Sequence, residues 1–358
     1  MARGDVGAAV NLLRRAVEVR DEADPERLAL VPDLAYAQMV VGDYDAARTR
    51  LDEAEALARA AGDELLGNRA TILRSFLGLY TGEEEGWGER ARASAEAALP
   101  AFERAGDERG QLLCRRLMTN AWMAEARWPE AMASAERTVE LAGRCGEPAA
   151  RAAASSIWAA GAIESAIRAE DAEPRMRAFL ADGADDQVTA SEMEIYLALL
   201  VCWRGDVAEG AERARVARER LIGLRAGLYS SSSGTYVSRI ARLAGDLGWA
   251  ERVLREDREA LDAIGATAYR LTADGFLANL LVGMGRFDEA AALAETVRRE
   301  AADYDTDQQA LWRSALAAVA SSRGDHAEAI RLASEGIELV RAKGDRVDER
   351  RLEGLLAA

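Results

Sequence analysis

The 358-residue sequence lacks most of the residues on which metal chemistry and acid–base chemistry depend. His326 is its only histidine, which excludes centres with several His ligands and weakens most acid–base mechanisms. Lys343 is its only lysine and follows Ala342, so the Gly-Lys-Ser/Thr ending of a phosphate-binding loop is absent. We therefore expect a protein that is not an enzyme and that holds no cofactor and no metal.

Cysteine, proline and aromatic residues are also scarce. The three cysteines, Cys114, Cys145 and Cys202, lie far apart without paired spacing, which excludes a disulfide framework and is typical of a reduced, cytoplasmic protein. The six prolines end at Pro174 and aromatic residues make up 6%, whereas 77 residues are alanine. Because alanine is the best helix former and no long alternating run of β-branched residues occurs, the composition predicts an all-α fold.

Positive charge is the minority charge of the chain. The sequence has 46 Lys and Arg against 62 Asp and Glu, a formal charge of −16 at pH 7. Such a surface repels phosphate backbones and anionic lipid surfaces, so we expect no nucleic-acid partner and no membrane partner. The longest weakly polar stretch, residues 152–163, is too short to span a bilayer, and no secretory signal opens the chain.

One turn signal repeats along the chain: a glycine, a charged residue and, soon after, an alanine. Its last four copies begin at Gly205, Gly245, Gly285 and Gly324, which are 40, 40 and 39 residues apart. Earlier or weaker copies begin at Gly4, Gly42, Ala126 and Ala169, and an insertion over residues 83–86 reconciles two registers. A fixed period of this length is the signature of a repeat architecture.

Small residues stand at fixed distances from each turn. Seven residues before it the chain places Ala35, Ser75, Thr119, Ala162, Ala198, Ser238, Ala278 and Ala317. The slot five residues after it is Ala or Gly in every copy except at Pro174. A second glycine, as at Gly62 and Gly106, suits a helix C-cap. Because small side chains let antiparallel helices approach closely, the pattern predicts stacked helix hairpins.

We expect one domain over residues 1–358, divided into hairpin units. The expected units are approximately 25–62, 63–106, 107–146, 147–183, 184–226, 227–265, 266–304 and 305–344, with partial units at 1–24 and 345–358. His326 occupies the slot of Tyr44 and Phe287, two residues after the turn glycine, and is interpreted as a ring that packs at the turn.

The repeat resembles a known family. The segments GDVGAAVNLLRRAV at 4–17, GRFDEAAALAE at 285–295 and DQQALWRSALAAVASSRGDHAEA at 307–329 are similar to the tetratricopeptide repeat, with longer helices. They resemble most closely the C-terminal repeat region of actinobacterial multidomain regulators, which carry an AAA-type ATPase and often a nucleotide-cyclase-like or DNA-binding domain upstream. The resemblance implies a tetratricopeptide-like right-handed α-solenoid of about eight to nine helix-turn-helix units, and it transfers no catalytic residue.

The two ends of the sequence agree with that resemblance. The first unit lacks its incoming helix, and the helix after Gly344 has no partner helix. We therefore expect the chain to be part of a longer protein. The alternative is a stand-alone protein whose end helices pack on each other or on a second subunit.

The concave wall of such a solenoid is built from the incoming helices, and the tetratricopeptide pattern gives its positions. Counting back three, six and ten residues from each turn yields the candidate binding residues Tyr36, Met39, Phe76, Arg116, Asn120, Met123, Arg239, Arg242 and Asn279. The N-terminal half of this groove is rich in aromatic residues and methionine, and the C-terminal half is more polar.

Three functions stay open at this point. The first is a protein-interaction or regulatory module that holds a peptide segment or an upstream domain of its own chain, with aromatic anchors and with Asn and Arg as polar contacts. The second is a sensor that takes a small-molecule effector into the groove. The third is a helical-repeat enzyme, for which no acid–base pair is evident. The arginines, alternatively, lie along helix faces without binding a partner.

Overall fold

A computed structural model describes residues 6–21, 24–81, 86–182, 187–224, 231, 233–343 and 345–356. Within these ranges the regular secondary structure is helical, in eighteen α-helices. They are α1 (Val6–Glu18), α2 (Pro25–Val40), α3 (Tyr44–Ala61), α4 (Glu64–Thr81), α5 (Trp87–Ala105), α6 (Glu108–Ala124), α7 (Trp128–Cys145), α8 (Pro148–Glu164), α9 (Ala169–Asp182), α10 (Gln187–Trp203), α11 (Val207–Gly223), α12 (Gly234–Leu243), α13 (Leu247–Ala263), α14 (Thr267–Gly283), α15 (Phe287–Glu300), α16 (Thr306–Ser322), α17 (His326–Lys343) and α18 (Arg346–Leu356).

Consecutive helices pack as hairpins, and the hairpins stack into a tetratricopeptide-like right-handed α-solenoid. Each even-numbered helix from α2 to α16 packs both on its odd-numbered neighbours and on the next even-numbered helix. The even-numbered helices also meet across the superhelix, α4 with α14 and α8 with α18. They therefore form its inner wall, and the odd-numbered helices form the outer layer.

Glycines set the turns of the hairpins, as the repeat pattern predicts. Gly42, Gly205, Gly245, Gly285 and Gly324 all have positive φ, between 74° and 105°. L-residues with a side chain pay an energetic cost in this left-handed region, whereas glycine does not. A second set, Gly62, Gly106, Gly146 and Gly265, follows the outgoing helices with φ between 65° and 69°. Gly4, Gly344 and the insertion residues Glu83 to Glu85 lie outside the described residues.

Two alanines take the place of the turn glycine, one of them not where the pattern predicts it. Ala126 has φ 52°, as expected for its slot, and Ala166 has φ 51°. The prediction that Ala169 fills the next slot is wrong, because Ala169 is already the first residue of α9. The register of α8 is therefore displaced by three residues from the sequence count.

The interpretation of His326 as a packed ring is also wrong, because its side chain is exposed. In the first hairpin the corresponding Tyr44 stacks on Tyr80 at the far end of the next inner helix, with ring centroids 6.1 Å apart. The next inner helix after His326 is α18, and residues Arg346–Leu356 of that helix include no aromatic side chain on which His326 could stack.

Small residues allow close helix contact, as the spacing predicts. Ala47, Ala131, Ala250 and Ala290 are fully buried between the helices of their hairpins. At the same slot a Cβ on Gly210 would lie 2.3 Å from Sγ of Cys202 and 2.6 Å from a main-chain oxygen. Since dense packing tolerates almost no extra volume, α10 and α11 approach as closely as they do only with glycine there.

The superhelix closes on itself within the length of the chain. Tyr80 of α4 stacks on Tyr269 of α14 at 6.5 Å, and Trp87 of α5 packs on Tyr304 at 5.8 Å. The hydroxyl of Thr306 donates a hydrogen bond of 3.1 Å to the carbonyl oxygen of Glu125, 181 residues away in sequence. The N-terminal half and the C-terminal third of the chain therefore meet along a seam. The concave groove is a channel whose walls touch at that seam. None of the described helices combines the length and the apolar character needed to cross a membrane.

Candidate binding channel

Three of the predicted site residues form one cluster on the inner wall. Tyr36 of α2, Phe76 of α4 and Arg116 of α6 come from three successive inner helices, at intervals of 40 residues. The Arg116 Nη2 group donates a hydrogen bond of 2.7 Å to the Tyr36 hydroxyl oxygen. Its guanidinium carbon lies 5.2 Å from the centre of the Tyr36 ring and 5.5 Å from that of Phe76. This geometry lets a cation and two aromatic rings act together.

The cluster is accessible through two of its members. Phe76 is buried, with 1% of its surface exposed, whereas Tyr36 and Arg116 are half-buried. The hydroxyl and the guanidinium therefore form the solvent side of the cluster, and the Phe76 ring supports it from below. A half-buried guanidinium next to aromatic rings suits a carboxylate or a main-chain carbonyl of a bound segment.

The other predicted N-terminal residues lie near the cluster without extending it. Met39 is buried, 2% exposed, in the same hydrophobic cluster as Phe76. Met123 is half-buried against the core that begins at Ala126. Asn120 donates from Nδ2 to the carbonyl oxygen of Arg116 in its own helix, at 2.9 Å. Met39 is thus a core residue, and Asn120 is held along the axis of α6.

Arg239 lies on the inner wall but carries an ion pair. Its guanidinium donates to both carboxylate oxygens of Glu164, at 2.5 and 3.2 Å, and thereby ties α12 to α8 across 75 residues of sequence. Burial lowers the pKa of the Arg239 guanidinium, but the charge and the hydrogen bonds of Glu164 raise it by more. Its guanidinium also lies 5.6 Å from the Tyr236 ring. The Arg239 guanidinium is therefore already paired within the protein.

The remaining two predicted residues differ in their partners. Arg242 is exposed and makes no ion pair within the described part of the chain. Partial loss of hydration lowers the pKa of Arg242, and the charges of Arg351 and Arg239 lower it further. Asn279 bridges two inner helices, because its Nδ2 donates to the carbonyl oxygens of Gly275 at 2.8 Å and of Leu311 at 2.9 Å. Asn279 is therefore a structural tie between α14 and α16.

Sequence reasoning missed a polar aromatic cluster on helices α8, α10 and α12. The Tyr196 and Tyr236 rings meet edge to face at 4.8 Å. The hydroxyl of Ser156 donates to Glu192 at 2.6 Å, and the hydroxyl of Tyr196 lies 3.4 Å from the other oxygen of that carboxylate. Burial raises the pKa of both tyrosines well above the usual value, so both stay protonated hydrogen-bond donors. The signal was present, since Tyr196, Tyr236 and Phe276 all stand nine residues before a turn glycine.

Buried acids at the C-terminal end of the channel also escaped prediction. Asp345 caps α18, accepting hydrogen bonds from the amides of Val347 and Asp348 at 3.0 and 2.9 Å. Burial, together with the neighbouring Asp348 charge, raises the pKa of Asp345 to about 8. Burial likewise raises the pKa of Asp307 well above the usual carboxyl range. In the part of the chain that the structure describes, no group of three or more His, Cys, Asp and Glu side chains is arranged to hold a metal ion.

We compared the chain with known protein families, curated proteins and solved structures. The sequence matched none of the protein-family models in a scan and none of the curated proteins in a search. Among solved structures it is similar to the Rap conjugation gene regulator of the plasmid pLS20 in complex with the Phr* peptide, with a TM-score of 0.56 and 10% identity, covering 95% of this chain and 97% of that one.

Two further solved structures are similar to this chain to about the same degree. A Rap protein complexed with competence and sporulation factor gives a TM-score of 0.54 and 12% identity, covering 89% of this chain and 98% of the other. Human IFIT1 with PPP-AAAA gives a TM-score of 0.53 and 12% identity, covering 92% of this chain and 74% of the other. At such identities the likeness establishes the fold alone. The chain is a tetratricopeptide-like α-solenoid, and its binding partner has to be argued from its own residues.

Proposed function

We propose that this chain is a non-catalytic regulatory module that binds a peptide or an extended protein segment in its inner channel. The observation that carries the proposal is the Arg116, Tyr36 and Phe76 cluster on three successive inner helices. Aromatic and Arg side chains are the residue types that dominate protein–peptide binding energy. A guanidinium in this setting selects a carboxylate, so the favoured segment carries an acidic side chain or ends in its C-terminal carboxylate near Arg116.

The structural neighbours support a peptide ligand and also give the alternative. Two Rap structures contain the Phr* peptide or competence and sporulation factor, whereas human IFIT1 contains PPP-AAAA. The net charge of −16 disfavours a phosphate backbone here, because each phosphate would approach a negative surface. We therefore propose a peptide or protein partner and no nucleic acid.

The cysteines of the chain bear on its cellular location. We propose a cytoplasmic location, supported by three cysteines that are all free, of which Cys114 and Cys202 are buried. Burial raises the pKa of the Cys114 thiol to about 12, so this thiol stays protonated and unreactive. The resemblance to actinobacterial multidomain regulators supports an AAA-type ATPase or output domain of the same chain as one candidate partner. A small-molecule effector is the second candidate ligand, favoured by a cavity at the seam that is described below.

The test is selection of peptides from a random displayed library on the immobilised full chain, followed by binding titrations with the enriched peptides. We expect enrichment of peptides that carry a carboxylate next to apolar residues. Arg116→Ala together with Asn120→Ala should weaken their binding at least tenfold, since charge-assisted hydrogen bonds contribute about 1.5–3 kcal/mol.

Controls separate binding from folding in this experiment. Arg331→Ala, on the exposed outer face of α17, removes one charge and should leave binding unchanged. Circular dichroism should show the same helicity for all variants. Unchanged binding by the Arg116 and Asn120 variant, or no enrichment over an unrelated helical-repeat protein, would refute the proposal.

A further inference from the structure

A cavity of about 410 Å³ lies at the seam where the two ends of the superhelix meet. Its charged wall residues are Glu89 and Arg92 of α5, Glu125 and Arg127 between α6 and α7, Asp303 between α15 and α16, and Lys343 at the end of α17. Its volume lies within the range of about 300–1,000 Å³ that is typical of small-molecule pockets. The cavity is separate from the cluster around Arg116 in the channel.

Glu125 organises the inner side of this cavity. Its Oε1 accepts a hydrogen bond of 2.6 Å from Arg92, and its Oε2 lies 3.9 Å from Nζ of Lys343. The Arg92 guanidinium in turn lies over the Trp122 ring, with its carbon 3.9 Å from the ring centre. Arg92 and Glu125 are therefore mutually satisfied, and Lys343 is held only at the outer limit of an ion pair.

The cavity wall also carries side chains of both charges that could pair with a ligand. Glu89 and Asp303 are exposed, and the carboxylate of neither makes a hydrogen bond or an ion pair within the described residues. They reach the cavity from opposite sides of the seam, one from α5 and one from the connection before α16. Lys343 supplies the opposite charge at 3.9 Å from its single carboxylate partner. Tyr304 and Leu339 add apolar surface to the wall.

We propose that the seam cavity is a binding site for a small zwitterion, namely a free α-amino acid. Its ammonium group would pair with Glu89 and Asp303, and its carboxylate would pair with Lys343. A dication would leave Lys343 without a new partner and would approach it with like charge. Arg92 and Arg127 already pair with Glu125 and Glu130, so they do not attract a second anionic group. A dianion could pair with Lys343, but its second charge would face the carboxylates of Glu89 and Asp303. Only a ligand with both charges matches the whole set.

Binding at this position would join the two ends of the solenoid. The ligand would contact α5 on one side of the seam and the α15–α16 connection and α17 on the other. Because a ligand stabilises the conformation that presents its complete site, the amino acid would favour the closed superhelix. This inference does not depend on a peptide in the channel, and the two can be tested separately.

The experiment is isothermal titration of the full chain with each of the twenty common amino acids, with putrescine as the dication and succinate as the dianion. We expect at least one amino acid to bind and to raise the thermal midpoint, and neither putrescine nor succinate to do so. Hydrogen exchange should slow in α5 and at the start of α16 when that amino acid is bound.

Variants of exposed wall residues test the assignment without disturbing the core. Lys343→Gln, and Glu89→Gln combined with Asp303→Asn, should each weaken binding at least tenfold. Glu96→Gln, on an exposed position of α5 away from the cavity, should bind like the parent. The proposal is overturned if no amino acid binds, if putrescine or succinate binds as tightly, if the wall variants bind unchanged, or if protection from exchange appears elsewhere.

Discussion

Gly88 and Glu125 fit against each other without room for a side chain at residue 88. A Cβ there would lie 2.2 Å from Oε1 of Glu125, 2.9 Å from its Cδ and 3.0 Å from its Cγ. The same Oε1 accepts the hydrogen bond from Arg92. The absence of a side chain in the first turn of α5 therefore determines where the carboxylate of Glu125 sits at the seam.

We expect Gly88→Ala to lower the free energy of unfolding by up to about 2 kcal/mol, which is the overpacking cost of about 1–3 kcal/mol less about 1 kcal/mol gained in helix propensity. The added methyl group would move the Glu125 carboxylate away from Arg92 and Lys343. Gly143→Ala on α7 is the matched control, because a Cβ there meets nothing within 4 Å. In that control the free energy of unfolding should rise by about 0.5–1 kcal/mol, because alanine has a higher helix propensity than glycine. Urea titrations measure both, and a stabilised Gly88→Ala variant would contradict the packing argument.

The two alanines with positive φ should respond differently to glycine. Ala166→Gly should raise stability by about 1 kcal/mol, since it removes the strain of a left-handed alanine. Ala126 is fully buried, so Ala126→Gly also removes a buried methyl group that contributes about 0.8 kcal/mol. The net change in the stability of this variant should therefore be near zero. Thermal unfolding of the two variants provides the comparison. Equal gains at both positions would show that burial of the Ala126 methyl contributes nothing.

The buried cap Asp345 should make stability depend on pH. Its folded pKa of about 8 lies above the value of about 3.9 for an unfolded Asp, so the unfolded chain loses this proton first as pH rises. Stability should therefore fall between about pH 4 and pH 8. Asp345→Asn keeps the acceptor for the α18 amides but cannot ionise. We expect the variant to match the parent at pH 4 and to exceed it by at least about 1 kcal/mol at pH 9.

Denaturant unfolding at several pH values measures this difference. Asp325→Asn is the control, because Asp325 is an exposed cap that accepts from the amide of Glu328 at 3.1 Å. Burial also raises the pKa of Asp305 to about 7 and of Asp257 to about 6, but both carboxyls are common to parent and variant. Identical pH profiles for parent and Asp345→Asn would contradict the expectation.

The pair formed by Glu164 and Arg239 should be strongly coupled. Both side chains are largely buried, with 11% and 14% exposed. Glu164→Gln or Arg239→Gln alone should each cost about 3 kcal/mol, because each leaves the other charge buried without its partner. The double variant should cost clearly less than the sum of the two. A double-mutant cycle measured by denaturant unfolding gives the coupling, and additive single effects would show that the pair is not a unit.

Much of the fold could be predicted from local signals. The turn glycines and the small residues around them repeat within one hairpin, and each acts on neighbours in sequence. The count back from each turn also gave Tyr36, Phe76 and Arg116 as wall positions, and the structure brings these three side chains together. Their adjacency was not predicted, because the count put Arg116 ten residues before its turn and Tyr36 and Phe76 six residues before theirs. The register failed at α8, where Ala166 adopts a glycine conformation and carries no sequence mark of it.

The contacts across the seam could not be predicted in this way. Tyr80 and Tyr269 meet only because small rotations between successive hairpins add up to a closed superhelix. The ion pair of Arg239 with Glu164 joins residues 75 positions apart, so the repeat pattern does not reveal it. For the same reason the cavity between Glu89 and Lys343 has no counterpart in the linear pattern.

The contacts of α4 with α14 and of α8 with α18 change how this array should unfold. In an open array each repeat touches only its neighbours, so the terminal repeats fray independently of the rest. Here detachment of the last hairpins would also expose Tyr80 and the inner face of α8 to solvent. The N-terminal half and the C-terminal third of the chain therefore belong to one cooperative unit, and a destabilising substitution in either should also lower the stability of the other.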